Sequence, residues 1–173
     1  LLISSDLSDF FNLDLSICED KLSPFSQLLC RHLPKTYKKL KFLNIKPIQY
    51  AYKWFNIMFS QEHSLPQLLP LWDSLLSHLN NLSLFEFAIG VARIQTVHTN
   101  IESDYPNFRS KYILKNSIDD LKCSSVFGKI LSLLCNIQIE DIHELIKQAN
   151  IIYDRYVNKK RVTLFSQKSS SLP

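Results

Sequence analysis

Histidine and carboxylate side chains are the residues most able to do chemistry, because they supply metal ligands and general acids and bases. The histidines never stand in an H-x-x-x-H or H-E-x-x-H pattern, so a metal site would need ligands from distant segments. The pairs Asp119–Asp120 and Glu140–Asp141 are adjacent, and helix neighbours point in different directions, which favours a capping role. The patterns predict no catalytic residue, no metal site and no cofactor. The histidines are His32, His63, His78, His98 and His143.

Glycine and cysteine usage excludes further kinds of site. With only two glycines, Gly90 and Gly128, the chain cannot form a Walker loop or a G-x-G-x-x-G dinucleotide turn. No two of the four cysteines have C-x-x-C spacing, which argues against a zinc knuckle. We interpret all four as reduced thiols of a cytosolic protein. Cys30 and Cys135 end apolar helical runs, and we expect both to lie in the core.

Basic residues form two short clusters in a chain whose net charge is only +4. One cluster lies between Lys35 and Lys41, and the other between Lys159 and Arg161. We interpret both as solvated faces or tails, and a phosphate-binding patch is the alternative. Because the charge is low and dispersed, no nucleic-acid partner is predicted.

The elements that must position any site are helices. The 173 residues, of which 46% are hydrophobic, fit about one globular domain. Pro24, Pro34, Pro47 and Pro66 each stand where an apolar helical stripe begins. We therefore predict an all-α fold with about seven or eight helices and no sheet. No stretch approaches the ~20 apolar residues of a membrane span.

Apolar spacing gives bounds for these helices. Ser23 is predicted to cap the helix that starts at Pro24, and Pro70 is predicted to lie inside the helix that Ser64-Leu65-Pro66 opens. The segment from Leu82 to Ile101 is apolar around much of its girth, which is typical of a central helix. The remaining predicted helices are Pro47 to Met58, Ser117 to Leu121, Val126 to Leu134, and Ile142 to Tyr156 with its pattern stopping after Asn158.

One stretch carries a resemblance to a known family. Residues 46–76 read KPIQYAYKWFNIMFSQEHSLPQLLPLWDSLL. This resembles the second half of the TBC domain of Rab GTPase-activating proteins, where a W-F helix runs into an F-S-Q-E-x-x-L-P turn and then a W-D helix. Segments around His32-Leu33-Pro34 and over 130–149 resemble further parts of the family, although Pro70 and a long 101–123 segment depart from it. The landmarks are Trp54, Phe55, Leu65, Pro66, Trp72 and Asp73.

The resemblance implies a mechanism whose two catalytic motifs are missing from this chain. TBC domains supply a GTPase with an arginine from I-x-x-D-x-x-R and a glutamine from Y-x-Q. No arginine here has Asp three positions before it, and no glutamine has Tyr two positions before it. Since the family carries both motifs in the first half of the domain, the resemblance implies that this chain begins after them. It supplies no catalytic residue.

Two functional hypotheses follow from the resemblance. In the first, residues 1–157 are the C-terminal part of a TBC domain and 158–173 a flexible tail. This half would be the scaffold of an activator of a GTP-bound, Rab-like small GTPase. An N-terminal half would complete the domain, and the protein would be cytoplasmic and reach endomembranes through the GTPase. In the second, the chain is a TBC-like interaction subunit without catalysis.

The landmarks themselves are interpreted as structural residues. We expect Trp54, Phe55 and Trp72 to pack between helices and Asp73 to accept a structural hydrogen bond. If the chain is half of a domain, some apolar faces lack a partner. We expect the wide apolar girth of the 84–101 helix to leave such a face exposed, so that the isolated chain binds hydrophobic dyes.

Overall fold

The fold is built from helices alone in the part of the chain that the structure describes. The structure is a computed structural model, and it describes the backbone of residues 15–103 and 118–169. Eight α-helices and two short 3₁₀ turns make up these residues, which confirms the predicted all-α class. The α-helices are α1 (Leu15–Lys21), α2 (Ser23–His32), α3 (Pro34–Phe42), α4 (Tyr52–Asn56), α5 (Leu65–Leu76), α6 (Leu82–Ser103), α7 (Ile118–Cys135) and α8 (Ile142–Ser169).

Prolines start several helices, as the sequence predicts. Pro34 opens α3, and Pro66 lies in the first turn of α5. Ser64 occupies the cap position of α5, and the side chain of Gln67 accepts a hydrogen bond from the Ser64 backbone N–H at 3.3 Å. The predicted cap of α2 is one residue off, because Ser23 is already helical and Leu22 occupies the cap position.

The segment after Pro47 is not the single helix that its spacing predicts. A 3₁₀ turn spans Pro47–Gln49, and α4 ends at Asn56. Met58 and Phe59 then adopt left-handed φ values of 48° and 61°. The Phe59 N–H bonds the Trp54 carbonyl at 2.7 Å, and the Met58 N–H bonds that of Phe55 at 3.4 Å. These two bonds form a Schellman ending, which stops the helix and reverses the chain.

Helix α6 is the centre of the bundle. It packs against α2, α3, α4, α5, α7 and α8. Residues 85–94 are buried without interruption, on every side of the helix. The expectation that this girth leaves an exposed face is therefore wrong, because neighbouring helices cover it. Two charged residues, Glu86 and Arg93, are also fully buried within this helix.

The last two helices are longer than their apolar patterns. The segments predicted as separate helices near 117–121 and 126–134 belong to α7, although Ser117 itself lies outside the described residues. Helix α8 continues to Ser169, so the prediction that helical structure stops after Asn158 is wrong for the backbone. The packing pattern ends earlier than the helix because Ile152 is the last fully buried side chain of α8 among those described.

Aromatic rings fill the core beside a close approach at Gly90. The Phe55 ring packs edge-on against Phe25 and Phe87, with centroids 5.2 Å and 5.0 Å away. A Cβ on Gly90 would stand 2.9 Å from the Phe55 ring and 3.0 Å from that of Phe25. Glycine thus lets α6 touch the ring of the W-F pair directly.

Gly90→Ala is expected to lower the free energy of unfolding by up to about 2 kcal/mol. Overpacking against the buried rings costs about 1–3 kcal/mol, and the helix propensity of alanine recovers about 1 kcal/mol. Chemical denaturation of the whole chain measures the change. Gly128→Ala is the matched control, because nothing lies within 4 Å of a Cβ there and the helix should gain stability. Equal effects at both positions would contradict the close approach.

Candidate functional site

The family landmarks divide into a buried set and an exposed set. Trp54 and Phe55 are fully buried, as expected. Trp72 is only half-buried, so it is less enclosed than the expected core position. Leu65, Pro66 and Asp73 are exposed, the first of them to 65%. The exposed set lies on α5, and the buried pair faces the central helix.

A buried ionic cluster joins the F-S-Q-E turn to the centre of the fold. The guanidinium of Arg93 on α6 donates to Glu62 Oε2 at 2.8 Å and to His63 Nε2 at 2.8 Å. Lys53 on α4 pairs with the other carboxylate oxygen of Glu62 at 2.9 Å. The side chain of Arg93 is 0% exposed and that of Glu62 is 6% exposed, so this pair is shielded from water.

The same cluster binds two further parts of the chain. The Arg93 guanidinium lies over the Trp54 ring, 4.9 Å from its centroid, which is cation–π geometry. It also reaches the Ile137 carbonyl at 3.4 Å, and Lys53 Nζ donates to the Cys135 carbonyl at 3.2 Å. The cluster therefore connects α4, the F-S-Q-E turn, α6 and the link between α7 and α8.

Burial sets the protonation states in the cluster. It lowers the pKa of Arg93 to about 10, against the opposing effect of the Glu62 charge, so Arg93 remains a cation at neutral pH. Burial, and next the charge of Arg93, lowers the pKa of His63 to about 4. His63 is therefore neutral at pH 7, and its Nε2 can accept the Arg93 hydrogen bond. The described polar contacts of the Arg93 guanidinium are all with other parts of this chain.

Trp72 connects the W-D helix to the strained turn. Its indole N–H donates to the carbonyl of Met58 at 2.9 Å, at the left-handed residue that ends the W-F helix. Asp73 points elsewhere: among the described residues its side chain has no hydrogen bond or ion pair, so its expected structural acceptor role has no support here. The tryptophan thus explains the W-D landmark better than the aspartate does.

The arginines whose side chains are described differ in their exposure. Arg93 is sealed in the core and cannot reach a bound GTPase. Arg31 is exposed and its guanidinium lies 5.2 Å from the Tyr156 ring centroid, while Arg155 is exposed on α8. Arg109 lies outside the described residues, and so does the side chain of Arg161.

The largest exposed apolar side chains of the described residues concentrate on α5 and the turn after it. Leu65, Leu69 and Leu76 are 65%, 56% and 47% exposed, and Leu79 is 40% exposed. The spacing of Leu65, Leu69 and Leu76 places them on one side of α5, beside half-buried Trp72, and Leu79 follows in the next 3₁₀ turn. We call these four residues the leucine face. The exposed apolar surface therefore lies on the leucine face and not on the central helix α6, where it was expected.

Changing the three α5 residues of the leucine face to serine (L65S/L69S/L76S) is expected to remove most of the hydrophobic dye binding of the chain. Exposed apolar patches bind such dyes and promote association, and exposed substitutions usually change stability by less than about 0.5 kcal/mol each. Dye fluorescence and light scattering at matched concentration give the readout. Phe42→Ser is the control, since Phe42 is 58% exposed on α3. Undiminished dye binding in the triple variant would place the exposed surface elsewhere.

The thiols and possible ligand groups add no catalytic arrangement. Cys18 is buried, and Cys30 and Cys135 are only half-buried, so the expectation that the latter two lie in the core is wrong. The side chain of Cys123 lies outside the described residues. Within residues 15–103 and 118–169, no cluster of His, Cys, Asp and Glu could hold a metal ion. No described helix is long and apolar enough to cross a membrane.

Comparison with known proteins identifies the family. The described residues form an all-helical domain in which the W-F helix and the F-S-Q-E turn converge on one buried arginine. The Rab-GTPase-TBC domain model matches residues 1–100, which is more than half of the chain. The chain therefore belongs to the Rab-GTPase-TBC domain family. Residues 130–149, which resemble the closing pattern of the family, lie outside this match.

Individual relatives are distant and much longer. The human TBC domain-containing protein kinase-like protein is 30% identical over 130 residues, which cover 75% of this chain and 14% of that protein. Mouse Carabin is 32% identical over 78 residues, or 42% of this chain and 18% of Carabin. Human TBC1 domain family member 13 is 40% identical over 53 residues, or 31% of this chain and 12% of that protein. No solved structure matches.

Sequence reasoning found the landmarks but missed the ion pair at their centre. The sequence shows Glu62 as the last residue of the F-S-Q-E motif, but it does not show which cation binds it. Arg93 was visible as a charged residue inside the most apolar helix, and a buried charge needs a counter-ion. That signal was present, but nothing in the spacing named Glu62 as the partner, because 31 residues separate the two.

Proposed function

We propose that this chain is the scaffold half of a GTPase-activating domain that acts on a Rab-like small GTPase. Membership of the Rab-GTPase-TBC family is the observation that carries the proposal. The buried Arg93–Glu62 pair supports a scaffold role, because the most enclosed polar groups are used in holding helices together. In this proposal residues 1–157 are the C-terminal part of the domain, and 158–173 are a tail beyond it, into which α8 continues as far as Ser169.

The proposed chemistry occurs on the GTP of the partner. An arginine offered by the activator neutralises charge that develops on the transferred phosphoryl group, and a glutamine orients the attacking water. In this proposal both side chains come from an N-terminal half, which the helices described here position. The GTP-bound GTPase is the partner, and it brings the protein to endomembranes in vesicle trafficking.

A second candidate function is a TBC-like interaction subunit without catalysis. The observation that favours it is the exposed leucine face, because such patches mark sites at which another protein binds. Under this proposal the fold is retained for binding and no rate enhancement is expected.

The sequence encoded before Leu1 separates the two candidates. Reading the transcript upstream shows whether the two motifs are present. Single-turnover GTP hydrolysis by a panel of Rab proteins, with the full encoded protein added, then tests the activity. Motifs with strong stimulation support the activator. Absent motifs with background hydrolysis, together with GTPase binding, support the interaction subunit.

A further inference from the structure

Helix α3 presents a basic surface around one exposed aromatic ring. Lys35, Lys38 and Lys41 are exposed, and none of them forms an ion pair among the described residues. Phe42 is 58% exposed. It follows Lys38 by four residues and Lys35 by seven, so the ring lies on the same outer face as these lysines. We call Lys35, Lys38, Lys41 and Phe42 the α3 patch.

The rest of α3 holds this face outward. Thr36 and Leu40 are buried on the opposite side. The hydroxyl of Thr36 donates to Glu102 Oε1 at 2.7 Å, and Lys39 Nζ donates to the Ile101 carbonyl at 2.6 Å. Since these contacts fasten the inner face to the C-terminal end of α6, the outer face is presented by a fixed helix.

The residue types of the patch fit a lipid surface better than a protein partner. Residues 33–46 contain five lysines and no acidic residue. Protein interfaces are enriched in arginine and depleted in lysine, and their anchors enter pockets. Lysines on flexible stems beside an aromatic ring are instead the pattern of helices that lie on anionic membranes. A lysine near such a surface attracts it without needing fixed geometry.

We propose that the α3 patch binds an anionic lipid surface directly, with Phe42 inserted between headgroups and Lys35, Lys38 and Lys41 above them. This contact is separate from any held through a GTPase. In this arrangement the chain lies on the membrane surface, and the three lysines supply most of the attraction between the chain and the anionic headgroups. The binding should therefore weaken as salt is raised.

Co-sedimentation of the whole chain with vesicles tests the proposal. The expected result is binding to phosphatidylcholine–phosphatidylserine vesicles and little binding to pure phosphatidylcholine vesicles. K35Q/K38Q/K41Q should lower the partition coefficient about 100-fold, since each lysine near an anionic surface contributes about fivefold. Phe42→Ala should lower it about tenfold by removing the inserted ring.

A control variant with the same charge change shows whether position matters. K129Q/K147Q/R155Q removes three exposed cations on α7 and α8 and should keep nearly all of the binding. Circular dichroism melting confirms that each variant is folded. The proposal is overturned if anionic vesicles do not bind the chain, or if both triple variants lose binding equally. It is also overturned if the α3 patch binds a GTPase in solution and the chain does not co-sediment with anionic vesicles.

Discussion

Replacing Arg93 with methionine is expected to lower the free energy of unfolding by about 3–5 kcal/mol. Methionine approximates the length of the arginine stem, so the main loss is electrostatic rather than a large cavity. The carboxylate of Glu62 would stay enclosed with Lys53 as its one remaining cation among the described residues. Removing one partner of a buried pair costs about 3–5 kcal/mol, and Lys53 compensates the Glu62 charge only in part because its own side chain is 43% exposed.

Chemical denaturation of the whole chain measures this loss, and a double-mutant cycle assigns it. Glu62→Gln removes the charge that Arg93→Met leaves behind, so the double variant R93M/E62Q should be less destabilised than the sum of the two single variants. Arg155→Met is the control, because Arg155 is exposed on α8 and its loss should change stability by less than about 0.5 kcal/mol. A loss below about 1 kcal/mol for R93M would mean that the pair contributes little.

The helices were predictable because their signals are local. Pro34 and the Ser64–Gln67 box start helices through their own backbone chemistry, and the sequence shows both. The break after Asn56 was not predictable, because Met58 and Phe59 are residues that seldom take left-handed φ values. Tertiary contacts fix that turn: the ring of Phe59 is fully buried and the indole of Trp72 binds the Met58 carbonyl.

The candidate site was predictable only in part, for a similar reason. The W-F pair, the F-S-Q-E turn and the W-D helix could be read as family landmarks, but their common purpose depends on contacts between distant segments. Trp54 lies under the Arg93 guanidinium, and Glu62 binds it from the side. Gly90 allows α6 to approach Phe55. These landmarks and Gly90 thus meet at one central helix.

The chain of residues 1–173 alone is expected to raise GTP hydrolysis by Rab proteins hardly above background. An arginine finger contributes about 10³ to 10⁵ in rate, and this chain has neither the arginine motif nor the glutamine motif. Among the arginines whose side chains the structure describes, Arg93 is enclosed in its ion pair and cannot reach a partner.

Single-turnover hydrolysis on a panel of Rab proteins, with the chain and the full encoded protein compared, measures this difference. Arg31→Ala, Arg93→Ala and Arg109→Ala should each change the activity of the full protein only through folding or affinity. Arg93→Ala needs correction for its folded fraction, because the buried pair stabilises the domain. Affinity is separated by saturating the GTPase with activator, which leaves only the chemical step. Strong stimulation by residues 1–173 alone, abolished by one of these alanines at full folding, would place the catalytic arginine inside this chain.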